Sequence, residues 1–168
     1  MSSRRLTSIL KFSLLSLMLA FTNSAFADPV KAAFIYIGPT GDHGWTYAHD
    51  QGVNHLKDQL GDDVVITRIE SVAENSDSER VITSLARKND IIFTTSFGYM
   101  EPTIKVAARY PDVKFEHATG YMRPTDNIST YSARFYEGRH VIGKIAGRMT
   151  NTNAVSYTHL TLPTILLV

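Results

Sequence analysis

Residues 31–47 read KAAFIYIGPTGDHGWTY. The first half, KAAFIYIG, is a nearly continuous apolar run closed by Gly38-Pro39. A run without polar alternation fits a strand buried on both faces, the condition of a parallel sheet. The second half is a loop, and at Trp45 a helical pattern begins. Gly52, Val53, Leu56 and Leu60 recur at helical spacing, and Gly61 is the stop. Strand, loop and helix form the opening unit, and the chain downstream repeats it.

Residues 64–69 alternate like a strand. Ser76-Asp77-Ser78-Glu79 has the form of a capping box, and Val81, Ile82, Leu85 and Ala86 make one face of the helix it opens. Residues 90–97 (DIIFTTSF) read as a second buried strand. Glu101-Pro102 starts a short helix through Tyr110, with Pro where the first turn tolerates it. Residues 113–118 and 128–135 read as strands, and 137–149 as a helix. The order β-α-β-α-β-α-β-β-α predicts an α/β fold built on a doubly wound parallel sheet.

Both ends read differently from this body. Residues 1–11 carry Arg4, Arg5 and Lys11 and no acid, residues 12–21 (FSLLSLMLAF) are apolar, and Ala25-Phe26-Ala27 is a small-residue exit. These are the parts of a secretory signal peptide, expected to be cleaved after Ala27. Residues 156–164, SYTHLTLPT, resemble translated sequencing-adapter read-through, so residues 155–168 are read as a non-native tail. The 168 residues hold 17 Lys+Arg and 16 Asp+Glu; without the leader the balance is 14 to 16. Such a balance argues against a nucleic-acid partner. The chain has no Cys, which excludes disulfides, zinc–thiolate sites, a Cys nucleophile and a lipid-bearing Cys. A leader with no Cys implies a free periplasmic protein.

Ligands of doubly wound sheets bind beyond the carboxyl ends of the strands. That rule selects residues 38–47, 96–100 and 134–139, all rich in aromatic and polar groups. The glycines of the first loop are spaced G-x-x-G-x-x-G, and Asp42 and Trp45 stand where a pyrophosphate would approach, so a dinucleotide site is weakly supported. Trp45, Tyr47 and Asp42 better suit a flat polar ligand, stacked on a ring and read at its edge. Packing on the sheet is an equal alternative for Trp45. Ser96 and the amides near Gly98 could donate to a ligand and Phe97 could form a second wall, or Phe97 could cap the core. Glu70, Glu74 and Asp77 read as solvated or capping residues. The six His have no metal-ligand spacing, and Ser96 lacks a G-x-S-x-G elbow, so neither a metal site nor a hydrolase is supported.

GPTGDHGWTY, FTTSFGYM, FEHATGY and ARFYEGR together resemble the BMP family of ABC-transporter substrate-binding proteins, in its purine- and nucleoside-binding branch. The resemblance covers residues 31–153. It implies a type I periplasmic-binding-protein fold, two α/β lobes closing over a ligand. Residues 28–134 are then the first lobe, and residues 135–154 the hinge crossing and first helix of a second. It implies a ligand site including Trp45, Phe97 and Gly98, with Asp42 and Tyr136 beside it. It also implies a monomeric, non-enzymatic receptor without cofactor, handing a purine base or nucleoside to an inner-membrane ABC permease and its ATPase. A periplasmic sensing module, a nucleotide-dependent enzyme and a different small solute are the alternatives.

Overall fold

The computed structural model describes residues 28–154; the leader read at residues 1–27 and the tail read at 155–168 lie outside the described residues. Nine elements follow one another: β1 (Val30–Ile35), α1 (Trp45–Leu60), β2 (Val64–Ile69), α2 (Ser76–Ala86), β3 (Ile91–Thr94), α3 (Met100–Arg109), β4 (Lys114–Ala118), β5 (Ile128–Tyr131) and α4 (Phe135–Met149). Short 3-10 turns lie at Thr40–Asp42, Gly61–Asp63 and Phe97–Tyr99. All strands pair in parallel in the order β2-β1-β3-β4-β5. β1, between β2 and β3, aligns Phe34 with Arg68 on one side and with Phe93 on the other.

Because side chains alternate across a strand, the sheet feeds two cores, one on each face. Ala33, Ile35, Ile92, Phe115 and Ile128 meet Ile82, Leu85 and Ala86 of α2 and Val106 and Ala107 of α3. On the opposite face Ala32, Phe34, Tyr36 and Val64 meet Val53 of α1, and the Phe34 and Phe93 rings stack at 4.4 Å. The doubly wound layering expected from the apolar runs is thus present. Tyr36, fully buried, donates its hydroxyl to Asp50 at 3.2 Å, and Asp50 takes Arg68 at 2.7 Å. This network ties α1 to β1 and β2.

Several boundaries differ from the expected ones. The third strand stops at Thr94, because Phe97–Tyr99 must turn into α3. The fifth stops at Tyr131, and the last helix starts at Phe135. Leu60, expected on the inner face of α1, is exposed. The capping box shifts by one residue: Asn75 is the cap, its side chain accepting from Asp77 N at 2.8 Å, and Ser76 is already helical. Asn75→Ala should therefore cost about 1 kcal/mol in urea unfolding. Ser76→Ala should stay within about 0.5 kcal/mol of wild type; the reverse ranking would return the cap to Ser76.

β4 and β5 are parallel yet joined by residues 119–127 without a helix. Parallel pairs usually need a longer crossover. Asn127 anchors this one: its buried amide donates to the carbonyls of Ala107, Tyr110 and Val113 at 3.1, 3.0 and 2.9 Å. The crossover is thereby pinned to the end of α3. By contrast α4 buries no residue, and Val141, Ile142, Ile145 and Met149 are exposed along it.

Candidate functional site

The carboxyl ends of β1 and β3 adjoin, since Ile35 pairs with Thr94. The next residue, Thr95, is fully buried and sends both its amide and its hydroxyl to the Ile35 carbonyl, at 3.2 and 2.7 Å. That leaves the Thr95 carbonyl to accept from the Trp45 indole Nε1 at 2.5 Å. Trp45 is the first residue of α1, so helix start and strand ends are joined through one indole. The ring is partly buried, 4.6 Å from His49 and 5.6 Å from Phe135. His49 donates from Nδ1 to the Trp45 carbonyl, 3.0 Å away, and burial holds its imidazole below the ordinary range. Of the two readings of Trp45, the structure shows the packing: one edge is anchored to the sheet, and that anchor sets the orientation of the ring.

Phe97, expected either as a second wall or as a cap on the core, is 47% exposed, with its ring 6.3 Å from that of Tyr121. Ser96 and Gly98 bracket it, but their donors are already engaged. Ser96 Oγ donates to Oε1 of Glu74, and Gly98 N donates to the same oxygen at 2.9 Å. Glu74 is therefore neither a capping nor a merely solvated residue, as the sequence suggested. Glu70 departs from that expectation too, accepting from the Thr40 amide and hydroxyl at 3.0 and 3.1 Å. The β2–α2 loop, which the sequence reading passed over, holds the other two loops in place.

The remaining candidates are scattered. Tyr47 stands two residues beyond Trp45, about 200° around the helix, and its ring lies 4.8 Å from His43. It is not brought to the Trp45 face. Asp42 closes the Thr40–Asp42 turn, and its side chain lies outside the description. Tyr136 is 68% exposed in the first turn of α4, beside Phe135, which reaches Trp45. Phe135, Thr95, Tyr121 and Glu74 were missed as site residues. The aromatic signal was present for Phe135, whereas Glu74 carried none. A groove of about 350 Å³ lies elsewhere, lined by Glu79, Arg80, Thr83, Arg87 and Arg109. Arg109 there is paired with Glu79 at 3.0 Å.

The anchored indole, the Glu74 carboxylate and the exposed Phe97 thus stand on the three segments that follow the carboxyl ends of β1, β2 and β3. Residues 29–164 match the profile of a family described as ABC transporter substrate-binding protein, PnrA-like; the matched span runs past residue 155, where the expected tail begins. The chain is 57% identical over 131 residues to a purine-binding protein of Brucella abortus strain 2308. It is 42% identical over 131 residues to a protein of Haloferax volcanii named as an ABC transporter glucose-binding protein. Each alignment takes in 77% of the chain but 37% and 33% of the relative, so the chain spans about a third of the length of these curated relatives. An ABC-transporter solute-binding protein of Aeropyrum pernix K1 superposes with a TM-score of 0.62 at 28% identity, over 74% of this chain and 34% of that one. A lipoprotein fragment of Peptoclostridium difficile 630 shares the fold, with a TM-score of 0.55 at 23% identity, over 72% of this chain and 99% of the fragment.

Proposed function

The chain belongs to the Bmp family of PnrA-like ABC transporter substrate-binding proteins, and from that premise we propose that its complete form binds a purine base or nucleoside and delivers it to an ABC permease. The observation that carries this reading is the indole of Trp45, held by Thr95 at the sheet's carboxyl edge. An aromatic face so placed stacks on a heterocycle, worth about 1–3 kcal/mol per base. The name of the Brucella relative, at 57% identity, points the same way. Residues 28–134 act as the first lobe and residues 135–154 enter a second, for which the exposed apolar side of α4 is the natural packing surface. Closure of two lobes over the ligand gives the permease a shape to recognise, because the ligand binds the closed state better and shifts the population.

On this reading the protein does no chemistry on its ligand, is monomeric and works in the periplasm after cleavage behind Ala27. Trp45 and Phe97 are its walls in this lobe, with Ser96, Gly98, Asp42 and Tyr136 on the flanking segments, whereas Tyr47 lies off the Trp45 face against His43. A sensing role differs only in the membrane partner, and permease and ATPase genes beside this one separate the two. The test is calorimetric titration of the complete gene product with adenosine, inosine, guanine and glucose. Saturable binding of purines, recovered unchanged, is expected. Glucose binding without purine binding, the behaviour named for the Haloferax relative, would overturn the ligand assignment. Purine turnover would overturn the receptor reading.

A further inference from the structure

Resting on the purine reading, we propose that Glu74 is a specificity-determining residue, selecting ligands by the hydrogen-bond donors they present. Its carboxylate is divided between two tasks. Oε1 receives Ser96 Oγ and the Gly98 amide and so spends both of its lone-pair directions on the loop. Oε2 has no hydrogen-bond partner among the described residues, and Glu74 as a whole is exposed. The two bonds of Oε1 come from the neighbours of Phe97 on either side, so the carboxylate is fixed to the turn that carries this exposed ring. A carboxylate oxygen accepts only. It therefore favours a ring N–H, an exocyclic amine or a sugar hydroxyl, and it disfavours a carbonyl turned toward it.

The arrangement is built in the backbone as well. A methyl group at Gly98 would stand 2.6 and 2.7 Å from the two carboxylate oxygens. Only a residue without Cβ lets the carboxylate lie against this turn. Gly98 has no left-handed backbone angle, so its role here is close approach. The two donors also stabilise the charge, since such charge-assisted bonds are about twice as strong as neutral ones. Ser96 and Gly98, expected to donate to the ligand, instead orient the group that accepts from it.

The test uses the complete protein, with adenine and adenosine titrated by calorimetry and ligand-free thermal melts alongside. Glu74→Gln keeps an oxygen for Ser96 and Gly98 and places an amide donor where Oε2 stood. Its melting temperature should stay within a few degrees of wild type, and its affinity should fall about tenfold, the loss of one charged hydrogen bond. Gly98→Ala displaces the carboxylate without changing it and should weaken binding similarly. A fall for both ligands assigns the donor to the base; a fall for adenosine alone assigns it to the ribose. Wild-type affinity in both variants overturns the inference and leaves the receptor reading standing. A wild-type protein that binds neither ligand overturns that reading and this inference with it.

Discussion

Trp45→Ala in the complete protein should weaken purine binding about 10- to 100-fold while the fold persists. Base–aromatic stacking is worth about 1–3 kcal/mol, and each 1.4 kcal/mol is a factor of ten in affinity. The upper part of that range applies because the indole is held in place. Its Nε1 is fixed to the Thr95 carbonyl, and His49 and Phe135 flank the ring. A wall already ordered in the free protein loses little rotamer entropy when the ligand arrives. Trp45→Phe separates the two contributions, since it keeps an aromatic face and loses the N–H anchor. It should fall between wild type and Trp45→Ala. Both variants retain the buried Val53 and the Tyr36–Asp50–Arg68 network that hold α1 to the sheet, so their melting temperatures should change little. Wild-type affinity in Trp45→Ala would reduce the indole to packing.

The helices and the layering were legible because they rest on local periodicity. α1 occupies residues 45–60 and β2 residues 64–69, the limits that spacing and Gly61 predict. Strand ends were read too long. Thr95 to Phe97 have strand-like composition, but a ladder ends where the chain must turn, and the turn at Phe97–Tyr99 leaves no compositional mark. The cap was misplaced for a related reason: Asn75 and Ser76 are both good caps, and the extended conformation of Asn75 decides between them. Aromatic walls could be expected from aromatics that follow apolar runs. Glu74 could not, because its partners lie 22 and 24 residues away and nothing local distinguishes it from a solvated carboxylate. Asn127 is hidden likewise, since its three acceptors are 14 to 20 residues distant. Pairwise polar contacts between loops are a property of the assembled sheet, and no period in the chain encodes them.

His117 shows what such a hidden contact costs, and it yields the largest stability effect expected of this fold. The unfolding free energy should fall by up to about 3 kcal/mol as pH drops from 6.5 toward 4. His117 is 1% exposed on β4, and burial lowers its pKa from 6.5 to about 4. A hydrogen bond at Thr94 acts the other way, raising it, and is outweighed by burial. Thr103 donates to the Thr94 hydroxyl at 3.1 Å, and the Thr94 hydroxyl is hydrogen-bonded to Nδ1 of His117 at 2.7 Å. Nε2 has no hydrogen-bond partner among the described residues, and a Cβ at Gly120 would stand 2.9 Å from it, so the ring lies close against the turn. The unfolded chain thus takes up a proton below pH 6.5 that the folded one refuses until about pH 4, and stability is lost across that window. The depressed imidazole of His49 acts in the same direction. Glu116, whose carboxyl is raised by burial, acts oppositely, and only toward the acid end. Urea unfolding at pH 7.5, 6, 5 and 4.5 measures the slope. His117→Gln, which cannot titrate, should be less stable at pH 7.5 and distinctly flatter below it. An unchanged slope in that variant would place the acid sensitivity on other groups and leave His117 a packing residue.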